Sequence, residues 1–292
     1  MCLTELFCSI DDFWKIFIKD RGKHLLDSGK VKRGPDSALT ISEMMTIVIL
    51  FHQSGYRTFK HFYSYVSSHL KKEFPDLISY GRFVYLMKTI FIPLFAYLLH
   101  MRGVVTGVAF IDSTSLAVCH RKRIARNKVF RLLAKRGKTT SGWFYGFKLH
   151  LIINDKGEIL AFQITPGNVS DVAMAEVLSR GIFGRLFGDK GYISSELGKT
   201  LLNRGLELFT GIRANMKKKL ISFENKILLR KRSLIETVND QLKNISQIEH
   251  TRHRSPANFL INLLGGLAAY CHQPKKPSLH MNRADCKALV VA

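Results

Sequence analysis

Acidic residues are scarce in this 292-residue sequence, where 22 Asp and Glu stand against 45 Lys and Arg for a formal net charge of +23. From Ser113 to Asn154 there is no acidic residue at all. Such an excess points first to a polyanionic partner, because each Lys or Arg that meets a phosphate releases condensed counterions. A ribosomal-type or merely basic surface has the same composition, and charge says nothing about fold. Cysteine is sparse and scattered. Cys2, Cys8, Cys119, Cys271 and Cys286 include no C-x-x-C pair, which argues against a structural zinc site and a disulfide framework and fits a reducing cytoplasm. Long apolar runs are missing too. Thr89–Leu99, interrupted by Pro93, and Phe259–Tyr270 are shorter than the roughly 20 residues that span a bilayer, so no membrane partner is expected. Residues 1–17 carry Glu5, Asp11 and Asp12 among apolar positions, unlike an export signal. Internal repeats and low-complexity segments are also lacking.

What is present is the composition of a folded protein, 46% hydrophobic and 23% charged, long enough for two domains. The first hundred residues read as a helical domain. Thr40-Ile-Ser-Glu43 has the form of a capping box after a loop at Pro35–Ser37, and Met44, Ile47, Val48, Leu50 and Phe51 follow at helical spacing. Residues 59–70 and 79–99 are further helical segments. Ser79-Tyr-Gly-Arg-Phe-Val-Tyr85 reads either as the opening of a second helix in a helix-turn-helix, with Tyr80, Arg82 and Tyr85 near DNA, or as plain helical packing.

After Gly103 the pattern changes to an α/β order spanning 104–272. Strands are expected at 104–111, 146–153, 159–165, 185–187 and 207–211, and helices at 171–180, 194–204 and 226–245. Asn154-Asp-Lys-Gly157 is a hairpin turn signal. Residues 273–292 read as a loose basic tail. Phe259, Leu263, Leu264, Leu267 and Tyr270 form a helical core stripe in which Gly265-Gly266 permits close packing.

Three carboxylates stand out. Asp112 is expected at the end of the first strand, Asp189 follows a short strand between Gly188 and Lys190-Gly191, and Glu236 lies on a helix where Arg232, Glu236, Asp240 and Lys243 share a face. Brought together they would repel one another, and a hard divalent cation would relieve that repulsion. Taken singly, each also reads as an ordinary cap, turn or surface-pair residue.

Ala109-Phe-Ile-Asp-Ser-Thr114, Trp143-Phe-Tyr-Gly-Phe-Lys-Leu-His150, Thr165-Pro-Gly-Asn-Val-Ser-Asp171 and Gly188-Asp-Lys-Gly-Tyr192, in this order, resemble the motifs of bacterial insertion-sequence DDE transposases. The nearest branch is the one numbered nine-eighty-two, related to the larger family numbered four, and the resemblance covers roughly residues 40–272. It implies a ribonuclease-H-like catalytic domain with Asp112, Asp189 and Glu236 as a catalytic triad that holds two Mg²⁺ ions, Mn²⁺ being a possible substitute. Arg232, Glu236 and Lys243 fit the family spacing Y-x2-R-x3-E-x6-K, while Leu229 stands where the pattern has Tyr. Asp240 is a reserve acidic candidate. The implied reaction is strand cleavage at the element's ends followed by transfer of the freed 3′ hydroxyl into target DNA, with two metals clamping the attacking and leaving oxygens. Partners would be double-stranded terminal and target DNA, and a homo-oligomer that synapses two ends. A stand-alone nuclease and an inactive DNA-binding relic of a transposase are the alternatives.

For DNA contact the residues themselves suggest a first basic segment: Arg121, Lys122, Arg123, Arg126, Lys128, Arg131, Lys135, Arg136 and Lys138, with Phe130 interleaved, ordered on binding. A second cluster is Arg213, Lys217, Lys218, Lys219, Arg230 and Lys231. Lys190, Lys243 and Arg232 are expected near the metals, where Arg232 can clamp a phosphate with its planar fork. Trp143 and Tyr145 are expected to pack the sheet, the other reading for an aromatic near the cleft being a stack on an extruded base. His150 is expected to be a satisfied core histidine.

Overall fold

The computed structural model describes residues 2–19, 38–140, 142–212, 216, 220–249 and 253–279. The loop at Pro35–Ser37, the cations Arg213, Lys217, Lys218 and Lys219, and the end of the tail with Cys286 lie outside these residues. The chain divides into two compact units, residues 1–101 with 242–274 and residues 102–241 with 275–292.

The first unit is helical among the described residues: α1 (Leu3–Phe17), α2 (Ile41–Gln53), α3 (Phe59–His69), α4 (Tyr80–Leu86) and α5 (Phe91–His100), with a 3-10 turn at Met87–Ile90. The α2 capping box forms as expected. Glu43 N donates to Thr40 Oγ1 (3.2 Å), and Thr40 N donates to Glu43 Oε2 (2.7 Å). Residues 70–79 join α3 to α4, longer than the three- to four-residue turn of a helix-turn-helix. Tyr80 packs instead on Phe59 and Tyr63. By length and composition the run Tyr80–His100 could cross a membrane, but Phe83, Ile90, Leu94 and Tyr97 are fully buried, as in a core helix.

The last helix, which we number α10 (Pro256–Cys271), belongs to this unit rather than to the 104–272 domain expected from the sequence. It packs on α2 and α5. The physical reason is close approach. A Cβ on Gly265 would stand 2.7 Å from Val48 Cγ1, and one on Gly266 would stand 2.4 Å from Ile248 Cγ2. The stripe of Phe259, Leu263, Leu264, Leu267 and Tyr270 is buried.

The second unit is built on a six-stranded sheet. Its strands are β1 (Val108–Ala117), β2 (Lys135–Thr139), β3 (Gly142–Asn154), β4 (Ile159–Pro166), β5 (Gly184–Gly188) and β6 (Leu206–Thr210). β1 lies between antiparallel β3 and parallel β5, and β6 pairs parallel with β5. β4 runs antiparallel along the other edge of β3, and β2 continues that edge at Gly142–Gly146. The order β4-β3-β1-β5-β6 is the ribonuclease-H-like mixed sheet expected from the sequence. The turn between β3 and β4 also forms as expected, with Asn154 Oδ1 accepting from Lys156 N and Glu158 N and Gly157 at φ +71°.

Helices α6 (Asp171–Leu178) and α7 (Ser195–Leu202) make the crossovers to β5 and β6. Leu178, Leu197 and Leu201 bury themselves with Ala109, Ile111 and Ile152 of the sheet, which fixes the strand ends on which the site is built.

Three further sequence expectations need correction. β1 does not end at Asp112 but continues to Ala117, because Ser113–Ala117 pair with Gly146–His150. The helix expected at 226–245 is two, α8 (Phe223–Arg230) and α9 (Ser233–Asn244). The turn between them is closed by Leu234 N donating to Lys231 O and Ile235 N to Arg232 O (3.0 and 3.1 Å). The tail is not loose from its start, since Leu279 N donates to Asp155 O (2.8 Å).

Candidate active site

Asp112 and Asp189 meet because of strand register. The parallel pairing of β1 with β5 ends at Phe110↔Phe187, and each aspartate follows two residues after its own strand's member of that pair. Asp112 thus sits mid-strand toward β3 but just past the last rung toward β5. Asp189 caps a 3-10 turn (Lys190–Tyr192), its Oδ1 accepting from Gly191 N at 2.8 Å. A Cβ on Gly191 would stand 2.8 Å from that same oxygen, so the glycine after Lys190 is what lets the carboxylate fold over the turn.

Glu236 arrives from the first turn of α9. Asp112, Asp189 and Glu236 line one cavity of about 570 Å³, together with Ser113, Ser115, Lys138, Thr139, Thr140, Lys148, Asp171, Tyr192 and Arg232. Glu236 Oε1 accepts from Arg232 Nη2 at 2.6 Å, and the Glu236 side chain is 54% exposed. Asp112 is half-buried and accepts a hydrogen bond at Oδ2 from Asn239 Nδ2 (3.0 Å). Burial pushes the Asp112 carboxyl up to about 6; a backbone hydrogen bond from Ser113 and the charge of Arg232 oppose the rise, while Asp189 and Glu236 reinforce it. The cavity therefore concentrates negative charge on a group that resists carrying it.

A divalent ion is the natural partner of such a donor set. The three carboxylates offer hard oxygens suited to Mg²⁺ or Mn²⁺. With Glu236 turned to Arg232, no three His, Cys, Asp or Glu side chains converge as a ready-made metal cage among the described residues. The chemistry of the donors fits such an ion, which would favour the ionised Asp112 carboxylate against the burial, and to a lesser degree the neighbouring carboxylates, that raise its pKa.

The other expected residues divide. Arg232 and Lys138 line the cavity. Arg121, Lys122, Arg123 and Arg126 are exposed on a 3-10 helix, and Lys128 and Arg131 on the loop after it. Lys135 and Arg136 are exposed on β2. The segment is thus built into the sheet unit rather than left to order on binding, and the reason is Phe130. It is buried against Phe147, and its carbonyl accepts from Ala134 N and from the Tyr145 hydroxyl. Lys190 lies along Gly211 and does not line the cavity. Lys243 belongs to the helical unit, where it pairs with Glu249 at 3.1 Å. Asp240 is exposed and outside the cavity lining.

Tyr145 is buried as expected, but Trp143 is not. It sits on the stretch of β3 that runs past the end of β1, is 57% exposed, and has Lys138 Nζ 5.9 Å from its ring centre. His150 lies in the core as expected, with Nε2 2.9 Å from Thr165 Oγ1, but it is not fully satisfied: its buried Nδ1 makes no hydrogen bond among the described residues, the Asp171 carboxylate standing 3.7 Å away. Burial lowers its pKa to about 4, so it is neutral near pH 7.

Sequence reasoning passed over Asn239, Lys148, Asp171 and Tyr192. Asn239 was detectable in principle, three residues after Glu236 on α9. Lys148, Asp171 and Tyr192 all stood in the quoted motifs, without a stated role.

Residues 102–256 match the transposase DDE domain family. No curated protein matches the chain. Among solved structures, the chain is similar to a piggyBac transposase determined by cryo-EM as a synaptic complex with hairpin DNA. The likeness is 11% identity and a TM-score of 0.47 over 88% of this chain and 76% of that one.

Proposed function

We propose, from the premise that this chain belongs to the transposase DDE domain family, that it is the transposase of an insertion sequence, cutting DNA at the element's ends and joining the freed ends to target DNA. Members of this family are DNA-cleaving enzymes that generally depend on divalent metal. The observation that carries the finer reading is the convergence on one cavity of three carboxylates from distant parts of the chain, two of them in register at the end of a parallel strand pair.

In this reading Asp112, Asp189 and Glu236 hold Mg²⁺, or Mn²⁺ in its place. The metal supplies Lewis-acid stabilisation of charge on the phosphate oxygens and lowers the pKa of water. The chain's own residues do the rest. Asn239 orients Asp112 through its hydrogen bond. Arg232 holds Glu236 at 2.6 Å and offers a guanidinium to phosphate when the carboxylate turns to metal. Lys138 and the exposed cations of the 121–136 segment bind the DNA backbone, which gives affinity and salt sensitivity without sequence selection. The element's ends would be selected by base-edge contacts from the helical unit, and two ends by a homo-oligomer. The work would be done in the cytoplasm, on chromosomal DNA.

The test is incubation with duplexes made from the DNA bordering the gene and a supercoiled target plasmid, with Mg²⁺. Nicked ends plus joined products are expected. Nicking without joining would mean a nuclease, and binding without nicking an inactive relic.

A further inference from the structure

The cavity that holds the three carboxylates also holds a lysine and a fourth carboxylate to which the transposase reading gives no task. Lys148 lies on β3, directly opposite Ser115 of β1. Its Nζ donates to Asp171 Oδ1 at 3.0 Å and to the Val169 carbonyl at 3.1 Å. Only 12% of its side chain is exposed. It borders two concavities: the catalytic cavity, and a smaller one of about 350 Å³ that also includes Trp143, Gly167 and Gly191.

Three cations line the catalytic cavity, and they differ in state. Arg232 is committed to Glu236, and Lys138 is exposed on β2. Lys148 is the one both withdrawn from water and not bound to any of the three proposed metal ligands. A withdrawn cation acts on a nearby phosphate through a lower effective dielectric than an exposed one. It is also already ordered, so it does not lose the rotamer freedom that an exposed lysine gives up on meeting a phosphate. Holding an ammonium there is costly unless it is paired. Asp171 and the Val169 carbonyl supply that pairing, and both belong to the segment leading into α6.

We propose that Lys148 contacts a backbone phosphate of the strand being cut, and that Asp171 is a positioning residue fixing Lys148 Nζ at the wall between the two concavities. The proposal rests on the transposase reading of the same cavity. The competing explanation is architectural: in it the pair serves only to tie the start of α6 to the sheet, where Ser170 makes no side-chain cap hydrogen bond.

The experiment is single-turnover cleavage of duplexes made from the DNA bordering the gene. Once the cut site is mapped with wild-type protein, the neighbouring phosphates are replaced one at a time by neutral methylphosphonates. On unmodified DNA, Lys148→Gln is expected to slow cleavage at saturating DNA about 10–100-fold, Lys148→Arg to recover most of that loss, and Asp171→Asn to lose about 3–10-fold. At one phosphate position, the methylphosphonate should slow the wild type but not Lys148→Gln, because both changes remove the same contact. Equal slowing by Lys148→Gln at every position would overturn the proposal in favour of the architectural role, and so would cleavage at the wild-type rate. If Lys148→Gln fails to fold by circular dichroism, Asp171→Asn carries the test on the same substrates: loss of sensitivity at one position supports the proposal, and uniform slowing overturns it. Absence of cleavage by the wild type would instead defeat the underlying transposase reading, with Asp112→Asn as the inactive control.

Discussion

Replacing Asn239 with Leu separates the catalytic contribution proposed for α9 from its structural one. Asn239 is 6% exposed, and its Nδ2 donates to Asp112 Oδ2 at 3.0 Å. Its Oδ1 is buried without a partner among the described residues. Leucine removes the donor to Asp112 but also an unpaired buried oxygen that costs about 1–3 kcal/mol. These effects oppose, and Asp112 keeps its hydrogen bond from Ser113 and its attraction to Arg232. Folding stability should therefore change by no more than about 2 kcal/mol. Cleavage has no such compensation. A hydrogen bond to a charged group is worth about 1.5–3 kcal/mol, which corresponds to a rate loss of about 10- to 150-fold if the orientation of Asp112 is needed in the transition state. The assays are urea unfolding and single-turnover cleavage at saturating DNA. A rate within twofold of wild type would refute the positioning role. A stability loss beyond about 3 kcal/mol would show that Asn239 holds the fold instead.

Other expectations are independent of that one. Glu236→Gln should reduce cleavage by about 10³-fold or more while leaving DNA affinity within about twofold, since it removes a metal-binding charge and keeps the shape; parallel loss of binding in a filter assay would assign Glu236 to the fold. Changing Arg121, Lys122 and Arg123 together to Ala should reduce the slope of log affinity against log salt by up to about 3, at roughly 0.9 per phosphate contact; an unchanged slope would remove this face from the DNA interface. His150 makes stability fall as pH is lowered. Burial lowers its folded pKa to about 4, against the ordinary histidine value of 6.5, so the unfolded chain binds more protons between those values and stability rises with pH across that window, by up to about 3 kcal/mol. Asp112, raised to about 6, acts oppositely over part of the same range. The measure is therefore the difference between wild type and His150→Gln in urea unfolding at pH 7.5 and 5, and equal pH dependence in the two would refute the assignment.

Local signals carried much of the fold. The capping box at Thr40–Glu43 and the Asn154–Gly157 turn could be read because each is a self-contained hydrogen-bonding unit. The break between α8 and α9 could not, because residues 229–233 contain neither glycine nor proline. The length of β1 was underestimated because Ser113-Thr-Ser115 looks like a loop until β3 pairs with it. The apolar stripe of α10 showed that the helix is buried, but only the contacts of Gly265 and Gly266 show which elements cover it.

The site divides in the same way. Asp112, Asp189 and Glu236 were singled out through motif and order, and the structure adds the register that brings the two aspartates to one cavity. Asn239 was missed because the face of α9 was traced through charged residues only. The Lys148–Asp171 pair joins positions 23 apart, a tertiary contact that no local periodicity encodes. Trp143 was expected inside because large aromatics usually are, whereas its exposure follows from β3 outrunning β1.

On the reading proposed above, this cavity cuts and joins DNA through its carboxylates and a divalent metal. The most direct test of that reading compares wild type with Asp112→Asn on duplexes from the DNA bordering the gene and a supercoiled target, each with Mg²⁺ and with EDTA. Nicking and joined products in wild type with Mg²⁺, lost both in EDTA and in the folded mutant, are the predicted result. Cleavage that persists in EDTA or in Asp112→Asn would contradict it.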